Sequence, residues 1–157
     1  MNRFLFAAAS ILGACLIARP VHAQEPDETP GKWQQVTGDQ GRDIMVAEDF
    51  TGRLFVVRCA GRKTSAFVVW NEFVGPTPRV EYRIDEQAPK EQAWNSSSDG
   101  GASFYPGRVI EFLEWLEEHD RLTTKATPRG KGPITAEFEI TGIETALQPI
   151  REACRWE

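Results

Sequence analysis

Two short runs decide the fold: Leu54-Phe55-Val56-Val57-Arg58-Cys59 and Ser65-Ala66-Phe67-Val68-Val69-Trp70, joined through Ala60-Gly61-Arg62-Lys63. Both are rich in β-branched and aromatic residues, too short for helices, and separated by a Gly-containing turn, which predicts a β-hairpin. Apolar residues occupy both parities of each run, so the two strands are expected to be buried on both faces or nearly so. Next, Arg79-Val80-Glu81-Tyr82-Arg83-Ile84-Asp85 alternates strictly, apolar at 80, 82 and 84 and charged between. That is a half-buried strand beside the hairpin.

Further along, Asn95-Ser96-Ser97-Ser98-Asp99-Gly100-Gly101 is a turn-forming loop. Pro106-Gly107-Arg108 opens a helix whose apolar positions Val109, Phe112, Leu113 and Leu116 fall at i, i+3, i+4 and i+7. Two strands, Arg121 to Thr127 and Ile134 to Ile140, precede a terminal helix with the inner stripe Ile143, Ala146, Leu147, Ile150 and Cys154. Thr141 and Glu144, three apart, fit a capping box at its start, and Pro149 should kink or interrupt it. Before the hairpin the pattern is weak, with only Asp43 to Glu48 suggesting a short strand. The order β-β-β-α-β-β-α implies an α+β fold: an antiparallel sheet of about five strands with two helices packed on it.

Upstream, Arg3 is followed by an apolar run from Phe4 to Ala18 and then by Val21-His22-Ala23 before the polar Gln24. This is the anatomy of an export signal, residues 1–23, cleaved after Ala23. The run is shorter than the roughly 20 residues of a membrane span, so no transmembrane segment is expected in the mature chain. Leu12-Gly13-Ala14-Cys15 also matches a bacterial lipobox, which would make Cys15 a lipidated N-terminus, but the residues after it stay apolar and lead to a good cleavage site. Residues 24–32 read as a polar, proline-rich leader and 33–157 as a single domain. The expected location is periplasmic or secreted.

Cleavage leaves 16 of the 18 basic residues against all 23 acidic ones, a net charge near −7. Such a chain lacks the basic footprint that nucleic acids and anionic membranes require. Two cysteines remain, Cys59 and Cys154, and an even count in an oxidising compartment favours a disulfide. It would join the first hairpin strand to the last helix, closing a loop that restrains the unfolded chain by about 4 to 5 kcal/mol.

No reaction centre emerges. His119 is the only histidine of the mature chain, with no Cys or His neighbour, so no metal site is expected, nor any cofactor. The serine cluster at 96–98 lacks a nucleophile turn. Carboxylate pairs are numerous, which keeps a small carboxylate-dependent hydrolase as a third reading. The most distinctive constellation is Arg58, Trp70, Arg83, Asp85 and Trp94, either a structural network with Asp85 pairing Arg58 or a ligand- or partner-binding patch.

Several of these residues belong to a longer pattern: Arg58-Cys59 at a strand end, Trp70, Tyr82-Arg83-Ile84-Asp85, Trp94 with Ser96-Ser97-Ser98-Asp99-Gly100, Phe112-Leu113, and Phe138 through Cys154-Arg155-Trp156. In these the chain resembles the VasI-type family, small exported proteins associated with type VI secretion in Gram-negative bacteria. The resemblance implies an envelope accessory role with a protein or envelope component as partner, and no catalytic residues. The expectation is therefore a non-enzymatic accessory protein. The alternative, from the acidic charge, is a periplasmic inhibitor of a lysozyme-like cell-wall hydrolase.

Overall fold

In the computed structural model, residues 33–38 and 42–156 are described; the export signal, the leader and Cys15 lie outside the described residues. The hairpin forms where the residues put it. Strand β3 (Leu54–Ala60) pairs with β4 (Lys63–Val69) from Leu54 opposite Val69 to Ala60 opposite Lys63. Gly61 and Arg62 form the two-residue turn, with φ of 58° and 62°. Positive φ at both positions matches the right-handed twist of the flanking strands, which is why a glycine stands at the first of them.

On the other edge of β3 lies β2 (Arg42–Glu48), itself paired with β1 (Gln34–Gly38). Beyond β4 come β8 (Ala102–Phe104) and β7 (Asn95–Ser96), completing an antiparallel six-stranded sheet in the order β1-β2-β3-β4-β8-β7. The strands β5 (Arg79–Ile84), β6 (Lys90–Ala93), β9 (Arg121–Ala126) and β10 (Ile134–Glu139) form a second antiparallel sheet, ordered β10-β9-β5-β6. The α+β class and antiparallel pairing hold, while the strands divide over two sheets. Trp94 is the one-residue joint between them, since Ala93 ends a strand of one sheet and Asn95 starts a strand of the other. Its N–H donates to the Pro78 carbonyl at 3.0 Å.

The two sheets share one core. Phe55, Val57, Ala66, Val68 and Trp70 from the larger sheet meet Val80, Ile84, Leu122, Ala136 and Phe138 from the smaller. Phe55 and Phe138 touch directly, ring centres 5.8 Å apart. Alternation is strict on β5, where Val80, Tyr82 and Ile84 are buried and their neighbours are not.

Helix α1 (Val109–Leu116) buries Phe112, Leu113 and Leu116 in the same core, as its i, i+3, i+4, i+7 stripe predicts. The terminal helix is two pieces, α2 (Ile143–Ala146) and α3 (Gln148–Cys154). Pro149 explains the break: it sits in the first turn of α3, where a missing N–H costs nothing, and could not continue α2. The capping box predicted from Thr141 and Glu144 does not form. Gly142, at φ 80°, is the N-cap, so Glu144 falls one position short of the reach a capping box needs. The Thr141 hydroxyl donates instead to Asp120 at 3.1 Å.

Cys59 and Cys154 are bonded, joining β3 to α3 with Cα atoms 5.7 Å apart. Past the bond the chain folds back, and Trp156 Nε1 donates to Thr64 Oγ1 at 2.7 Å. Arg151 lies 4.7 Å from the Trp156 ring centre and pairs with Glu117 just beyond α1. Because the bridge spans 95 residues, Cys59→Ala with Cys154→Ala is expected to lower unfolding free energy by about 4 kcal/mol. Urea unfolding of the oxidised chain against the double variant measures it; a difference under about 1 kcal/mol would refute it.

Candidate functional site

An antiparallel sheet with one face on the core normally presents polar residues on the other. The smaller sheet does so: Glu81, Arg83, Thr123, Lys125, Thr135 and Glu137 alternate with its buried positions. The larger sheet does not. Opposite the core-facing Phe55, Val57, Ala66 and Val68, its other face carries Leu54, Val56, Phe67, Val69, Ala102 and Phe104. Among the described residues, none of these six belongs to the core cluster or packs against it.

The register assembles that face rung by rung. Val56 stands opposite Phe67 and Phe67 opposite Phe104; one rung along, Leu54 stands opposite Val69 and Val69 opposite Ala102. Phe67 and Phe104 stack with ring centres 4.6 Å apart. The side chains shelter one another, so Val56 is only 5% exposed and Ala102 9%, while Leu54, Phe67, Val69 and Phe104 are half-buried. By burial the strands are close to the expected state of being buried on both faces or nearly so, but on the outer parity the shelter comes from neighbouring side chains, with no layer over it among the described residues. An apolar outer face of this kind is a candidate interaction surface.

Arg58 lies on this face. Its guanidinium carbon is 5.4 Å from the Phe67 ring centre, and its Nε is buried with no hydrogen-bond partner. The structure does not bring the other four members of the predicted constellation to it. Trp70 is fully buried and donates its Nε1–H to the buried Ser103 Oγ at 2.9 Å. Trp94 is fully buried in an aromatic cluster with Tyr82 and Tyr105, 6.1 and 5.5 Å away between ring centres. In that cluster burial, with Tyr82 adding to it, pushes the Tyr105 hydroxyl up to about 12, so it stays protonated at neutral pH. Arg83 faces outward on the smaller sheet in a shallow groove of about 290 Å³, beside Glu81 and Lys125, which pair with each other at 2.9 Å.

Asp85 does not pair with Arg58. It sits just past β5 at φ 46°, and its carboxylate accepts the N–H groups of Arg121 and Asp120 at 2.8 and 3.2 Å and His119 Nδ1 at 2.8 Å. Partial burial raises its pKa, but the Arg121 N–H, the His119 ring and the Asp120 N–H together outweigh that and hold it below the usual carboxylate range. The sequence offers no signal for this pair, whose partners are 34 residues apart. Beyond it, His119 Nε2 faces Gln87 Nε2 at 3.3 Å and Trp115 stands edge-on to the ring. A base poised for nucleophilic catalysis would instead meet a hydroxyl or thiol.

A hydrolytic general acid needs a raised carboxyl pKa. Among the described residues, Asp85 and Asp99 are both held below the usual carboxylate range, Asp99 through the Ser97 hydroxyl and the Gly101 N–H. Ser97 of the serine cluster thus donates to Asp99, at 2.5 Å, closing a turn. Among the described residues no group of three His, Cys, Asp or Glu side chains is placed to hold a metal, and no helix is long and apolar enough to cross a membrane.

The sign of the Asp85 shift makes a pH prediction. Its pKa is lower folded than unfolded, so its stabilisation is complete above the unfolded value and is lost as pH falls through the folded one. Urea midpoints measured from pH 6 down to pH 2 should fall in the native chain, and the fall should be shallower in Asp85→Asn. Parallel curves would contradict the assignment.

No curated protein matches the sequence significantly. Among solved structures, invasion associated protein B from Bartonella henselae is similar at a TM-score of 0.58 and 16% identity, over 82% of this chain and 98% of that one. At that identity the likeness is one of fold. A family described as type VI secretion system VasI, EvfG, VC_A0118 matches residues 21–156, nearly the whole chain. The chain belongs to this type VI secretion-associated family.

Proposed function

We propose that this chain is an exported, non-enzymatic accessory of type VI secretion that works in the periplasm by binding a protein through the outer face of its six-stranded sheet. The observation that carries the reading is the apolar outer face around Phe67 and Phe104, set against the polar outer face of the other sheet.

Three further points support it. The segment 1–23 has the composition of an export signal, and the family match begins at residue 21, at that segment's edge. The Cys59–Cys154 bond suits an oxidising compartment. Asp85 and His119, the pair most like catalytic machinery, are engaged with each other, with backbone N–H groups and with Gln87. On this reading cleavage after Ala23 releases the domain free rather than tethered through Cys15.

Inhibition of a basic cell-wall hydrolase is the second reading, favoured by the excess of acidic over basic residues, 23 against 18. It calls for an acidic capture surface, whereas the apolar face belongs to strands whose charged residues are cations.

Phe67→Ser with Phe104→Ser separates the two. Tagged full chain is exported in a bacterium that runs type VI secretion and cross-linked in the periplasm before capture. Recovery of a type VI component should fall by about tenfold or more in the double variant, because central aromatic anchors dominate interface energies. Undiminished recovery, or recovery of a lysozyme-like enzyme in its place, would overturn the proposal.

A further inference from the structure

The outer face also has a charge pattern, and what it implies rests on that face being the binding surface. In a chain with 23 acidic residues, strands β3, β4, β7 and β8 contain none. Their charged residues are Arg58 and Lys63, with Arg62 in the turn between. The pairings of Arg58 with Ser65 and Lys63 with Ala60 place both cations on the same parity as Val56 and Phe67, at the turn end of the face. Glu48, opposite Leu54, stands at the other end, about 13 Å along the strand from Arg58.

Among the described residues, five cations outside these strands are matched. Arg79, Arg108, Lys125, Lys131 and Arg151 each pair with a glutamate. Among the described side chains no carboxylate pairs with Arg58, although its Nε is already removed from water. Covering such a cation with purely apolar surface would deepen an uncompensated desolvation. A second copy stacked on the same face in the same sense would bring Arg58 and Lys63 no counter-charge from these four strands; only a copy inverted along the strands would carry its Glu48 toward them. A carboxylate removes the penalty: a guanidinium stacked on an aromatic ring keeps its edge donors in a plane that fits the two oxygens.

We infer that the face takes a protein segment in which a carboxylate side chain stands beside an aromatic or branched aliphatic anchor. The carboxylate meets Arg58 and Lys63, and the anchor lies on Phe67 and Phe104. In a domain of net negative charge, long-range attraction toward an acidic partner is absent, so the recognition is local and made on contact.

The probes are two peptides, acetyl-Phe-Glu-Phe-amide and acetyl-Phe-Gln-Phe-amide, titrated into isotope-labelled full chain purified after export and followed by amide chemical shifts. The Glu peptide should shift Val56, Arg58, Phe67 and Phe104 and bind about tenfold tighter than the Gln peptide, the worth of one charge-assisted hydrogen bond. Arg58→Gln should abolish that discrimination and Arg58→Lys, which keeps the charge, should retain part of it; a native-like spectrum establishes that each variant is folded. Equal binding of the two peptides, shifts centred away from this face, no shift at all, or concentration-dependent broadening of the face without peptide, the mark of a second copy, would each overturn the inference. Equal binding on the face would leave the docking proposal standing, since that one is decided by capture with the Phe67 and Phe104 variant, in which no peptide takes part.

Discussion

Strand β3 is constrained on all four sides, and the rest of the molecule takes its position from it. Its two edges are hydrogen-bonded to β2 and β4. Its inner face puts Phe55 and Val57 into the core and Cys59 onto α3, and its outer face carries Val56 and Arg58. A slip of one residue would exchange these two sets, sending Arg58 into the core and Phe55 to solvent. Two devices oppose the slip: the left-handed Gly61-Arg62 turn, which admits only a two-residue loop, and the bond at Cys59, which reaches α3 from one parity alone. The same register that builds the core therefore also composes the candidate docking face.

The second sheet illustrates how little sequence is needed to divide a fold in two. Trp94 is the only residue between β6 and β7, and its fully buried ring packs near Tyr82 of one sheet and Tyr105 beyond the last strand of the other. At the far end of β5, Asp85 ties the strand's exit to the turn that starts β9, through the N–H groups of Asp120 and Arg121. Between these fixed ends the smaller sheet exposes an ordinary polar surface, on which Glu81 pairs with Lys125. The asymmetry between the two sheets lies in what they turn outward.

Elements with a strong period were legible: the central hairpin, β5, β9, β10, α1 and the interruption at Pro149 all stand close to where alternation, helical spacing or backbone chemistry placed them. The short edge strands were not. Gln34–Gly38, Lys90–Ala93 and Asn95–Ser96 are polar at most positions and are strands because a neighbour offers hydrogen bonds, a tertiary cause that leaves no local pattern. Of the candidate site, the cysteine pair was legible from compartment and count. Arg58 stood out as a cation in an apolar run, whereas Trp70 and Trp94 proved to be core residues and Asp85 found its partner in His119, which the sequence had not linked to it. The apolar outer face was visible but its setting was not: apolar residues at both parities of β3 and β4 fit either two covering layers or one layer and an uncovered face, and periodicity is the same for both.

The 95-residue span between the bonded cysteines also orders events in time. A chain that emerges N-terminus first delivers the whole β3–β4 hairpin, with its share of the apolar outer face, long before Cys154 arrives. During that interval Cys59 is a free thiol on a strand with nothing yet bonded to it, and the second sheet that will cover Phe55 and Val57 has still to appear. The hairpin's apolar surface is thus made well before the bond at Cys59 can close, an interval in which unpaired nascent strands are open to aggregation.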